Sequence, residues 1–253
     1  MGYIRCSPLS PAGPIWSARM NSPFVAFFIG AAHGLDEPTA SIKKLELQEG
    51  LIFQTFDAKP DSDNTAPICF WSSREARPFY NNRTSASSGL LPAALESLDY
   101  IQENGKPWRS EAELVNVEGI QTETLDHYCQ ESGLWPDFLS MDIQGAEFEV
   151  LKGGGQALSR LLGIVTEVEF RQIYRGQALF ADIAAHLAAQ GFQFITLYVP
   201  QYWKLRQGDN LKVLTVGEAL FLRRPETVRG ADRSKLAQIA KCFGLEGYGG
   251  GSV

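Results

Sequence analysis

Cysteine is scarce in this chain. There are four in 253 residues, Cys6, Cys69, Cys129 and Cys242, far apart and with no CxxC among them. So sparse a set neither staples a disulfide scaffold nor matches zinc-finger spacing, and a reducing, cytoplasmic compartment is the simpler reading. Histidine is scarcer still: His33, His127 and His186 are scattered, and no HxxxH pair or Ser/His/Asp arrangement can be assembled from their spacing. Dense basic runs are missing as well. Lys and Arg number 23 against 29 Asp and Glu, a net charge of −6 with a pI near 5.2. No nucleic-acid partner is therefore expected, because a phosphate backbone is gripped by clustered cations. The longest apolar stretch near the start, residues 24–32, is too short to span a membrane. Residues 1–22, rich in Pro and Ser, lack the charged-then-apolar order of a signal peptide and read as a mobile arm or the remnant of a longer N-terminal region. No internal repeat is visible, and nothing in the pattern signals an oligomeric state.

What remains is an ordinary globular composition, 44% hydrophobic, at a length that suits one large domain over residues 23–253. Residues 24–30 form a continuous apolar run ending in glycine, as a fully buried parallel strand would. Further strands are expected over 51–57, 67–71, 137–143, 162–170, 192–199 and 218–223. Helices are expected over 41–48, 122–132, from about Glu147 onward, and over 178–190 with Gly191 as the stop. Residues 72–113 are polar and turn-rich, and predict a loop insertion with a helix over 93–102 that covers the pocket. Alternating strands and helices imply an α/β fold, a mostly parallel central sheet with helices on both faces. In such sheets ligands bind beyond the carboxyl ends of the strands, where strand order reverses.

Four motifs sit at those ends. Gly30-Ala31-Ala32-His33-Gly34 follows the first strand, where small residues let the backbone turn tightly and approach a nucleoside-like ligand; a tight turn without a ligand explains it equally well. Asp57 ends the second strand, roughly 20 residues beyond Gly34, where an acceptor-only carboxylate can take both ribose hydroxyls. The alternative is a loop Asp opening a turn before Pro60. Met141-Asp142-Ile143-Gln144-Gly145-Ala146-Glu147 is the most specific block. Glu147 and Glu149 gain from the dipole of the helix they open, whereas Asp142 gains nothing local and is expected to face a cleft. In Thr166-Glu167-Val168-Glu169, period two puts both acids on one face, lining the pocket or paired with Arg171 or Arg175. Tyr202 and Trp203 could stack on a substrate or simply pack.

Taken with Thr124-Leu125-Asp126, Pro136 to Leu139, Val150 to Gly153, Tyr174, Gly191-Phe192 and Gly217 to Leu222, these blocks resemble the FkbM methyltransferase family over about the last half of the chain. The resemblance implies a Rossmann-like methyltransferase sheet with an antiparallel final strand. It also implies S-adenosylmethionine as donor and O-methylation of a hydroxyl on a small molecule or sugar. On that reading Gly30, Ala32, Gly34 and Asp57 hold the cofactor together with Asp142. Asp142 and Glu167 are the catalytic acids, and Glu147, Glu169 and Tyr174 face the substrate. A divalent metal such as Mg²⁺ on Asp142 is compatible and not required. The family's first strand carries an acid just before its glycine turn; here Phe27-Phe28-Ile29 stand there instead. That departure supports an alternative, a binding protein that keeps the methyltransferase fold without catalysis. A nicotinamide-dependent oxidoreductase is disfavoured by the imperfect glycine turn.

Overall fold

The computed structural model describes residues 23–30, 50–60 and 63–249. The N-terminal arm over 1–22, the helix expected over 41–48, and Ala32, His33 and Gly34 lie outside the described residues.

Strand β1 (Phe24–Ile29) is buried at every position, which is why its sequence is uniformly apolar rather than alternating. The chain continues through β2 (Leu51–Asp57) and β3 (Thr65–Pro67), then β4 (Cys69–Phe70), β5 (Ala76–Asn82) and β6 (Leu114–Glu123). After these come β7 (Phe138–Met141), β8 (Gly163–Glu169), β9 (Phe192–Trp203) and β10 (Val213–Arg223). The central sheet runs β3-β2-β1-β7-β8-β10-β9. Its first five strands are mutually parallel, and β10 is antiparallel to both β8 and β9. Strand order reverses between β1 and β7. That is the switch point at which a ligand crevice is expected.

Both faces of the sheet are covered. Alternate residues Phe27 and Ile29 of β1, with Leu139, Ile164 and Val168, meet Leu125 and Cys129 of α2 (Leu125–Ser132), Val150 of α3 (Glu147–Lys152), Leu158 of α4 (Gly155–Arg160) and Ile183 of α5 (Phe180–Ala189). The one-turn helix α1 (Arg109–Ala112) lies in the insertion. On the opposite face Phe24, Phe28, Phe138 and Val165 meet Leu236 and Ile239 of α6 (Gly230–Cys242). The start of α2 is set by Thr124, whose hydroxyl accepts from the His127 amide at 3.2 Å, and its end by Gly133 at φ 72°. No helix among the described residues is long and apolar enough to cross a membrane.

Several elements depart from the sequence reading. The strand expected over 67–71 is divided: β3 joins the central sheet, and β4 joins a second sheet ordered β4-β6-β5. Strands β5 and β6 were not anticipated. The helix expected over 93–102 is absent, and only a 3-10 turn at Leu95–Ser97 forms. Its backbone is committed elsewhere, with Ala94 N–H donating to Ile173 O at 2.9 Å and Ile101 N–H to Lys204 O at 2.8 Å. Leu98 packs with Trp108, Trp203 and Tyr174 as a satellite core beside the switch point.

Candidate active site

The switch point is built by two crossing turns. Gly30 leaves β1 at φ +86°, and an added Cβ would stand 1.9 Å from the Asp142 carbonyl oxygen. Only glycine fits so close a backbone approach. Gly30 N–H donates to Phe56 O at 2.9 Å and Asp142 N–H to Ile29 O at 3.1 Å, so the exits of β2, β1 and β7 are tied together. Beyond Asp142 the chain turns through Gln144 at φ 60° and Gly145 at φ 86°. A left-handed Gln is uncommon and needs support. The Tyr174 hydroxyl provides it by donating to Gln144 Oε1 at 2.8 Å, while Gln144 Nε2 donates to Asp142 Oδ1 at 2.7 Å.

A cavity of about 450 Å³ opens here, in the range of small-molecule sites. Gly30, Asp57 and Asp142 all line it, so the tips of β1, β2 and β7, three adjacent parallel strands, share one space. Ile29, Phe70 and Ile143 give it apolar walls. Asp57 is half-buried, and its Oδ1 accepts from the Lys59 amide at 2.7 Å in a local turn. Cys69 is also on the wall, but burial, reinforced by Asp57, pushes its thiol up to about 12, so it stays protonated and unreactive.

The second sheet supplies lining that the sequence reading did not single out: Phe79, Asn81 and Asn82 of β5, followed by Ser85 and Ser88. Lys59 Nζ donates to Asn81 Oδ1 at 2.7 Å, pairs with Glu118 and lies over the Phe79 ring at 5.1 Å. Amides and serines in a turn-rich stretch carry no pattern that marks them as pocket residues.

Three acids, Glu147, Glu167 and Glu169, gather behind Asp142. Glu147, Glu167 and Asp142 offer carboxylate oxygens that all lie within 4.8 Å of one another. Glu147 is buried and accepts from the Ile143 amide at 2.8 Å; burial, with Asp142 adding repulsion, raises its carboxyl to about 8. Glu167 is raised by burial and then by the charges of Asp142, Glu169 and Glu147. Glu169, fully buried, is raised by burial and then by Glu147 and Asp142. The Gln177 amide and the backbone of Glu169 itself lie near enough to favour ionisation slightly. Even so, neither Glu169 oxygen makes a hydrogen bond of proper geometry among the described residues.

Glu147, Glu169 and Tyr174, expected at the substrate, are thus buried behind the cavity wall rather than on it. Asp57 and Asp142 do share the cavity. The alternative, a pairing of Glu167 or Glu169 with Arg171 or Arg175, is not formed among the described residues. Trp203 is buried against Trp108 at 5.3 Å, the packing alternative.

The methyltransferase FkbM domain family matches residues 29–194, about two thirds of the chain. Over 72 residues the chain is 39% identical to a 2-O-methyltransferase, NoeI, of Sinorhizobium fredii (strain NBRC 101917 / NGR234). The match covers 27% of this chain and 30% of that relative's length.

Proposed function

Because the chain belongs to the methyltransferase FkbM domain family, we propose that it transfers a methyl group from S-adenosylmethionine to a hydroxyl of a small molecule or sugar. The observation that carries this reading is the single cavity at the switch point that joins Gly30, Asp57 and Asp142. The residues present suit the donor. Asp57 has the acceptor chemistry for two ribose hydroxyls, Ile29, Phe70 and Ile143 suit a flat ring, and Gly30 lets the backbone approach closely. The relative's 2-O-methyltransferase name favours a hydroxyl acceptor.

When bound, S-adenosylmethionine supplies an electrophilic methyl group and leaves as a neutral thioether. The protein's part is alignment and deprotonation. Asp142 is exposed into the cavity, is oriented by the Gln144 amide at 2.7 Å, and accepts the proton of the hydroxyl as its oxygen bonds the methyl carbon. Glu167 supplements that role. Glu147 and Tyr174 hold the turn that aims Asp142, through Ile143 N and Gln144 Oε1.

A degenerate fold remains the second reading, because Phe27, Phe28 and Ile29 are buried where the resemblance calls for an acid. Asp142, whose backbone abuts Gly30, is placed to stand in for that acid. Calorimetry with S-adenosylmethionine and S-adenosylhomocysteine separates the two, and absence of both heat and thermal shift would favour the degenerate fold. With donor bound, Asp142→Asn is expected to cut methyl transfer to hydroxylated acceptors by roughly 10²-fold or more while donor binding largely survives. Equal turnover removes Asp142 from the chemistry.

A further inference from the structure

We propose that Asp142, Glu147 and Glu167 form a binding site for a hard divalent cation at the base of the cavity, with Glu169 supplying a further buried negative charge behind it.

The geometry suits one ion. Oxygens around Ca²⁺ at about 2.4 Å stand about 3.4 Å apart when adjacent and about 4.8 Å when opposite, and those around Mg²⁺ are somewhat closer. The three carboxylates offer oxygens all within 4.8 Å of one another. They come from three separate points of the chain: the exit of β7, the first turn of α3 and the carboxyl half of β8. Asp142 is exposed and lines the cavity, which gives an ion its route in.

Glu169 is the independent observation. It is fully buried, on the same face of β8 as Glu167, and neither of its oxygens has a hydrogen-bond partner among the described residues. A carboxylate that is buried and unpaired is expensive to maintain. No ion pair among the described residues relieves Glu147, Glu167 or Glu169. The cations nearest in sequence, Arg171 and Arg175, are exposed. Across the sheet Glu218 of β10 stands in register with Glu167, which adds a further acid to the same face. Glu147 and Glu169, both buried, need either protons or a cation. The convergence of three oxygens on one point, open to the cavity through Asp142, favours the cation.

The proposal rests on the methyltransferase reading only for its use: an acceptor hydroxyl reaching the ion would be acidified, and Asp142 would serve as ligand instead of lone base. Binding itself is independent of the donor, and the test uses that. The protein, stripped with chelator, is titrated calorimetrically with Mg²⁺, Mn²⁺ and Ca²⁺ in turn at pH 8 without S-adenosylmethionine. A saturable site for at least one ion is expected, with proton release, a rise in Tm, and reversal by chelator. Glu167→Gln should weaken that affinity at least tenfold while the metal-free Tm is held or raised. Glu147→Gln is read in parallel in case either variant fails to fold. No saturable heat and no Tm shift with any of the three ions overturns the site, as does undiminished binding in a folded variant. Donor titration in chelator is read separately. Donor binding without cation binding sinks this site and leaves the proposed function standing, and the converse result does the reverse.

Discussion

Gly30 shows how much a single missing side chain can decide. Its φ of +86° costs an L-residue about 1–2 kcal/mol, and a methyl 1.9 Å from the Asp142 carbonyl must push β1 and β7 apart. Gly30→Ala is therefore expected to lower stability by about 2 kcal/mol or more, and to weaken donor binding beyond what that loss explains. Chemical denaturation beside donor calorimetry checks both, and an unchanged midpoint would mean that the approach is looser than described. Tyr174 makes a subtler case. Its hydroxyl holds the left-handed Gln144 that in turn aims Asp142. Tyr174→Phe keeps the ring in its buried slot against Trp108 and removes that bond together with a longer one to the Ser87 carbonyl at 3.4 Å. The expected loss is about 1 kcal/mol in stability, with a larger proportional fall in methyl transfer than in donor affinity. Equal effects on both would reduce Tyr174 to packing.

At the scale of elements, β1 and α6 are joined by one buried ion pair. Asp137, at the entrance to β7, accepts from Val25 N at 2.9 Å and from Lys235 Nζ at 2.8 Å. Side-chain exposures of 13% and 7% for the two partners keep this pair from solvent screening. Lys235→Met removes this cation from a buried carboxylate and should cost about 1–3 kcal/mol in denaturant unfolding, with the site's donor affinity unchanged. The same helix marks where the sequence became hard to read. Helix α6 buries only Leu236, Ile239 and Ala240 among charged neighbours, too few apolar positions to announce a period. Strands β5 and β6 were missed for a related reason. Strand β6 is exposed along most of its length, so no alternation of buried and open positions is imposed on its sequence. The buried strands β1, β7 and β8 are the opposite case: with both faces covered they must be apolar, and their boundaries were legible to within a residue or two. The same logic divides the cavity. Acids that interrupt an apolar strand at its tip stand out, and so Asp57 and Asp142, which line the cavity, were legible; Glu167 was singled out on the same grounds but is not among the lining residues. Asn81, Asn82, Ser85 and Ser88 sit in a polar stretch and do not stand out.

For the molecule as a whole, the acid cluster turns pH into a measure of how the site is built. Glu147 ionises near the usual carboxylate value when unfolded but near pH 8 when folded, because burial and Asp142 oppose its charge. Below the unfolded value both states hold the proton and the group contributes nothing. Between the two values unfolding releases a proton, so stability falls as pH rises, by about 1.4 kcal/mol per unit for each such group. Above about 8 the loss from Glu147 is complete. Glu167 and Glu169, raised by burial and by their acidic neighbours, act in the same direction. His186 works the other way, since burial and Lys152 lower it, but its contribution ends once the unfolded imidazole has lost its proton near pH 6.5. The interval from there to pH 8 therefore isolates the carboxyls. In chelator, Tm should fall steadily across it, and Glu147→Gln, whose amide oxygen can still accept from Ile143 N, should flatten the slope. A wild-type Tm that holds level or climbs across that interval would mean that water or a permanent counter-charge already reaches the cluster.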